Sequence, residues 1–249
     1  MRRTARIRLA LAIAGSLWLA ACSGGGTSQP GPATPSGDAK ASAPAKPAPN
    51  APVAPVAPVA PDAPRIVCLG DSLTAGYGLP SPDEAYPALL GRKLADAGYH
   101  VSVINAGVSG DTSAGGLRRL DWSLQGDVKV LIVALGGNDA LRGLPPSELR
   151  ENLEGIVKAA EARHIRVLLM GMEAPPNFGD RYTQDFRAVY RDVAREHHLA
   201  FIPFFLNGVA GIDALNQGDG IHPTAQGQQK IADLIWPVLK PLVDATRTS

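Results

Sequence analysis

The chain has 249 residues and a net charge of +1, with 45% hydrophobic and 19% charged residues. That balance can fill a sizeable core and leaves no basic surplus, which argues against a nucleic-acid partner. There are two cysteines, so no disulfide framework is expected, and many of the 22 prolines crowd into one early stretch.

Residues 1–21, MRRTARIRLALAIAGSLWLAA, carry arginines at 2, 3, 6 and 8, followed by an apolar run from Leu9 to Ala20. The run is short for a membrane span and has the layout of a secretory signal. It ends in Leu19-Ala20-Ala21-Cys22, which resembles a bacterial lipobox, so cleavage is expected to leave Cys22 as a diacylglycerol-modified N-terminus. Ordinary small-residue cleavage is the alternative, and it would strand an exposed thiol in an oxidising compartment. Two or three acyl chains anchor stably where one is marginal. Loss of the four signal arginines takes the net charge from +1 to −3.

Residues 22–64 comprise that cysteine and a stretch of Gly, Ser, Ala and Pro ending in the three-residue repeat APVAPVAPVAP. Such a segment buries too little apolar surface to offset its ordering entropy. It reads as a disordered tether, reaching about 100 Å if extended at roughly 3.1 Å per residue. Residues 65–249 form the expected single folded domain, long enough for one substantial core.

Within that domain, apolar runs recur at RIVCLG, HVSVINAG, VKVLIVALGG, IRVLLMG and LAFIPFF. Between them, helical periodicity covers about Glu84 to Ala97, Ser113 to Leu124, Pro146 to Arg163 and Asp180 to His197, with a last helix from about Thr224 to Leu239. Strands that do not alternate, separated by helices, indicate a parallel sheet buried on both faces. The prediction is a three-layer α/β/α fold with five parallel strands in flavodoxin-like order. Cys68, inside the first run, is expected to be a small buried core residue.

Open sheets of this kind bind ligands beyond the carboxyl ends of their strands. Four glycine-bearing polar turns fall there: GDSLTAG, NAGVSGDTSAGG, GGNDALRG and GDGIHPTAQG. Each alone could be a simple turn, since Gly, Asn and Asp are what turns use. Together they form an active-site rim. Ser72, just past the first strand, is placed either as a helix cap or as a nucleophile.

A serine nucleophile needs a base, and a histidine base needs a carboxylate partner. Of five histidines, His100 and His164 precede strands at the wrong edge, and His197 and His198 end a helix. His222 remains, in DGIHP, with Asp219 three residues earlier and Gly220 allowing a tight turn. Candidate oxyanion donors are the Ser72 amide, the Gly110 amide and the Asn138 side-chain amide. Asp71 and Asp111 are expected to organise their turns. Asp139 could orient Asn138, bond the backbone or be a plain turn residue.

These four blocks, in this order, resemble the SGNH hydrolases, also called the GDSL family. The wording of LGDSLTAGYG, SGDTSAGGLRRL, LGGNDALRG and DGIHPTAQG is similar to the bacterial multifunctional group with thioesterase I, protease I and lysophospholipase activities, and to related arylesterases. The resemblance implies the SGNH hydrolase fold, Ser72 as nucleophile, His222 as base, Asp219 as its partner, and Gly110 with Asn138 as oxyanion donors. It also implies that no metal and no organic cofactor is needed.

The expected activity is hydrolysis of acyl esters, including lysophospholipids, thioesters and aryl esters, through an acyl-serine. Loops Ala140 to Pro146 and Met172 to Tyr182 are candidates to line the acyl chain. A carbohydrate or peptidoglycan O-acetylesterase and a non-catalytic envelope binding module are the competing readings. The expected partners are a small acyl ester or lipid substrate and, through the lipid anchor, a membrane, with the domain monomeric. The expected location is the bacterial cell envelope, with the domain in the periplasm or otherwise outside the cytoplasmic membrane. Ser23, where aspartate would signal inner-membrane retention, favours the outer membrane if the source is Gram-negative.

Overall fold

The computed structural model describes residues 63–246. The signal segment, Cys22 and nearly all of the tether lie outside the described residues.

Five strands form one sheet: β1 (Arg65–Gly70), β2 (Ser102–Gly107), β3 (Val128–Ala134), β4 (Arg166–Met170) and β5 (Ala200–Ile202). All pair in parallel, in the order β2-β1-β3-β4-β5. This is the flavodoxin-like order expected from the apolar runs. Central β1 and β3 are buried almost throughout, whereas Ile104 and Asn105 on edge strand β2 are exposed. Cys68, in the middle of β1, is fully buried, and burial pushes its thiol up to about 12.

Eight helices occur among the described residues: α1 (Ser72–Ala75), α2 (Tyr86–Asp96), α3 (Ser113–Arg118), α4 (Leu120–Ser123), α5 (Gly137–Leu141), α6 (Pro146–Glu161), α7 (Asp180–Glu196) and α8 (Ala225–Asp244). Helices α2 and α8 pack together, and α3, α6 and α7 form a second group. Each long helix turns one stripe inward, as with Leu149, Leu153, Ile156, Val157 and Ala160 of α6.

Three helix boundaries differ from expectation. The helix expected from Ser113 to Leu124 breaks at Arg119 (φ −103°, ψ 8°). There the guanidinium reaches back to Asp111 Oδ2 at 2.6 Å and the Gly70 carbonyl at 2.8 Å. Helix α2 starts later, at Tyr86, after a separate 3₁₀ turn at Pro82–Glu84. Helix α8 runs past Leu239 to Asp244 in spite of Pro237 and Pro241, because Ile235, Leu239 and Val243 keep its apolar stripe on the core.

Candidate active site

β1 ends at Gly70, where close packing leaves no room for a side chain: a Cβ would lie 1.9 Å from Thr74 Oγ1 and 2.9 Å from the Ala134 carbonyl. Asp71 then caps α1 by accepting the Leu73 N–H at 3.0 Å, which puts Ser72 at the first helical position. Buried Gln228 on α8 fixes this turn from behind, donating to the Leu73 carbonyl at 3.1 Å and accepting from the Tyr86 N–H at 2.9 Å.

The loop after β5 brings Asp219 and His222 across the sheet edge. Asp219 Oδ1 accepts the N–H groups of Ile221 at 2.9 Å and His222 at 3.0 Å, while its Oδ2 lies 2.7 Å from His222 Nδ1. Gly220 (φ +70°) supplies the left-handed step that this tight loop requires. His222 Nε2 lies 2.9 Å from Ser72 Oγ. The two N–H groups and the imidazole hold the Asp219 carboxyl well below the usual carboxylate range. An ionised Asp219 can only accept, so Nδ1 carries the imidazole proton and Nε2 faces the serine hydroxyl as acceptor. The Tyr77 ring sits beside the imidazole, with centroids 4.7 Å apart.

The oxyanion candidates meet at the same place. Ser72, Gly110 and Asn138 line one cleft of about 640 Å³, together with His222. The Ser72 amide, at the start of α1, has no carbonyl of a preceding turn to bond. Gly110 has φ +84°, and its carbonyl accepts from Arg142 at 2.7 Å. Asn138 Nδ2 donates to the Asp111 carbonyl at 3.0 Å, and its contact to Asp71 Oδ2, at 3.4 Å, is long.

The neighbouring aspartates hold this frame. Asp111 is clamped by Arg119, and buried Asp139 accepts from the Ser113 amide and hydroxyl, so it bonds the adjoining loop and not Asn138. Asp71 is buried, and loss of hydration pushes its carboxyl up to about 6 against the pull of the Leu73 N–H and of His222. The other four histidines do not enter the cleft.

The two loops expected to line an acyl chain reach the cleft in part. Leu141 and Met172 to Pro176 line the cleft, but Phe178 and Tyr182 do not; the Tyr182 hydroxyl donates to the Leu144 carbonyl instead. Phe204, Leu206, Ala210 and Ile221 supply further wall that sequence reasoning missed. Gln217 was missed as well: its Nε2 donates to the carbonyls of Tyr77 at 2.8 Å and Pro223 at 3.1 Å. No local pattern announces these residues, because their partners are distant in sequence.

The GDSL-like Lipase/Acylhydrolase family model matches residues 68–230, which include Ser72, Gly110, Asn138, Asp219 and His222. The chain belongs to this family. Within it, the chain is 45% identical to Esterase TesA of Pseudomonas aeruginosa over 179 residues, covering 72% of this chain and 89% of that protein. It is 41% identical to the thioesterase 1/protease 1/lysophospholipase L1 of Escherichia coli over 180 residues, 72% of this chain and 85% of that one. The crystal structure of the psychrotrophic esterase EstA from Pseudoalteromonas sp., inhibited by monoethylphosphonate, superposes with a TM-score of 0.68 at 35% identity, covering 72% of this chain and 98% of that chain. This GDSL-family chain is a serine ester hydrolase.

Proposed function

We propose that the chain cleaves acyl esters with lysophospholipid, thiol or aryl leaving groups, through an acyl-Ser72 intermediate. The observation that carries the proposal is the hydrogen-bonded line from Asp219 through His222 to Ser72, with steps of 2.7 and 2.9 Å, at an apolar cleft.

Ser72 Oγ attacks the ester carbonyl carbon as its proton passes to His222 Nε2. The resulting oxyanion is held by the amides of Ser72 and Gly110 and by Asn138 Nδ2, while Asp219 steadies the imidazolium. His222 then returns the proton to the leaving alcohol or thiol as its bond to carbon breaks, leaving acyl-Ser72. A water gives its proton to His222 and attacks the acyl carbon, and the free acid departs as Ser72 recovers its proton.

Leu141, Met172, Pro175, Phe204 and Leu206 support an acyl chain as the group bound beside the serine. The names of the relatives, an esterase and a thioesterase 1/protease 1/lysophospholipase L1, support the same substrate range. Lipid attachment at Cys22, a tether to residue 64, a monomeric hydrolase domain from residue 65 and an envelope location belong to the same proposal. The arginine-rich start, the apolar run and Leu19-Ala20-Ala21-Cys22 support the anchor.

The test is hydrolysis of p-nitrophenyl acetate, butyrate, octanoate and palmitate by the purified chain beside Ser72→Ala and His222→Ala. Turnover of the longer esters that both variants abolish supports the proposal. Turnover of acetate alone would replace it with an O-acetylesterase, and an inert wild type would reject it. For the anchor, metabolic labelling with a radioactive fatty acid should mark the wild type and leave Cys22→Ser unlabelled.

A further inference from the structure

Asp219 and His222 sit on an exposed loop that is closed mainly on itself. Gln217 N–H donates to the His222 carbonyl at 2.7 Å, Gly220 N–H to the Gln217 carbonyl at 2.9 Å, and Thr224 N–H to the Leu215 carbonyl at 2.9 Å. Asn216 and Pro223 form an antiparallel bridge across it. These bonds fix the shape of the loop but not its distance from Ser72. Among the described residues, two hydrogen bonds join residues 215–224 to residues 72–78. One is the reacting pair itself, His222 Nε2 to Ser72 Oγ. The other is Gln217 Nε2 to the Tyr77 carbonyl, at 2.8 Å.

We propose that Gln217 is a positioning residue that sets the reach of His222 to Ser72; this rests on the acyl-serine reading above. The Gln217 amide bridges the two halves of the site, holding the Tyr77 carbonyl five residues after the nucleophile and the Pro223 carbonyl next to the base. Gly78 is shaped for it: φ is +74°, and a Cβ there would lie 2.2 Å from Gln217 Oε1. The tie also places the Tyr77 ring against the imidazole, with centroids 4.7 Å apart, where it covers one side of the base.

The need for such a tie follows from distance. A hydrogen bond of 2.9 Å to Ser72 Oγ leaves little room before proton transfer suffers. A shift of about 1 Å in a reacting group can cost on the order of a hundredfold in rate. Asp219 and His222 share one loop, so loss of the tie would move both together and leave their mutual bond intact.

Gln217→Met keeps the length and bulk of the side chain but removes both donors, and Gln217→Glu replaces the donating amide with an acceptor. With p-nitrophenyl butyrate, each is expected to lower kcat by about tenfold to a hundredfold, with KM within about twofold and an unchanged thermal midpoint for Gln217→Met. The downfield proton resonance of His222 Nδ1–H should persist in both, because its partner Asp219 moves with it; a merely structural role would not give this combination. A folded Gln217→Met with wild-type kcat would overturn the proposal, as would a loss of the Nδ1–H resonance together with activity. Ser72→Ala, run in parallel, separates the two levels. If Ser72→Ala stays active, the acyl-serine reading fails; if it is inactive while Gln217→Met is not, the positioning role alone fails.

Discussion

The Asp139 carboxylate accepts from both the backbone N–H of Ser113, at 2.8 Å, and its hydroxyl, at 2.5 Å, joining two of the loops that build the cleft. Asn152 Nδ2 donates to the same hydroxyl at 3.0 Å, so a buried aspartate beside Asn138 is tied through Ser113 to α6. Hydrogen bonds to a charged acceptor contribute about 1.5 to 3 kcal/mol each, and the buried N–H would be left unpaired without it. Asp139→Ala is therefore expected to destabilise the fold by about 3 kcal/mol or more, measured by urea unfolding. A loss within about 0.5 kcal/mol would show that the two loops are held by something else.

Asn138 meets the cleft with one amide proton donated to the Asp111 carbonyl at 3.0 Å, while its contact to Asp71 Oδ2, at 3.4 Å, is long enough for an oxyanion in the cleft to take its place. Removing one such donor costs about a hundredfold to a thousandfold in kcat. Asn138→Ala should show that loss with KM little changed, in steady-state hydrolysis of p-nitrophenyl butyrate. A variant that instead raises KM and spares kcat would assign Asn138 to ground-state binding.

Asp71 makes a stability prediction with a defined sign. Burial pushes its carboxyl up to about 6 in the folded chain, against an ordinary value of 3.8. The folded state therefore binds the proton more tightly, and stability is expected to rise as pH falls from about 6 to about 4, the destabilisation being fully present above that window. A separation of about two pH units corresponds to roughly 3 kcal/mol as an upper figure. Asp71→Asn keeps an acceptor for the Leu73 N–H and removes the buried charge. It should raise Tm at neutral pH and flatten the dependence of Tm on pH between about 4 and 6. Calorimetric scans across that range check it, and an unchanged slope would contradict it.

The apolar wall predicts a chain-length profile. Burying one methylene contributes about 0.8 kcal/mol, about a fourfold gain in kcat/KM, until the cleft is filled. Leu206→Trp, which narrows the wall, should lower the octanoate rate relative to butyrate. Equal losses on both esters would place Leu206 away from the acyl chain.

The sheet was legible because VKVLIVA and RIVCLG are apolar on both faces, which a solvent-facing strand is not. The site was legible because a parallel sheet has one binding edge, and of the five histidines His222 alone falls there with a carboxylate beside it, facing Ser72. Arg119 was opaque, since its break depends on acceptors at Asp111 and Gly70 that no local propensity encodes. Gln217 and Gln228 were opaque for a similar reason. Each reads as an ordinary polar residue, yet their partners Tyr77 and Leu73 lie 140 and 155 residues away. Helix α8 outran its expected end because a buried stripe offset two missing proline donors, and propensity alone does not weigh the two.

The most direct measurement is covalent trapping. The purified chain is incubated with a p-nitrophenyl alkylphosphonate, and the adduct is located by peptide mass spectrometry beside residual esterase activity. One phosphonyl group on the peptide that contains Ser72, formed in proportion to lost activity and absent from Ser72→Ala, is the predicted result. Full inactivation with the group on another residue, or full activity retained by Ser72→Ala, would contradict the acyl-Ser72 account.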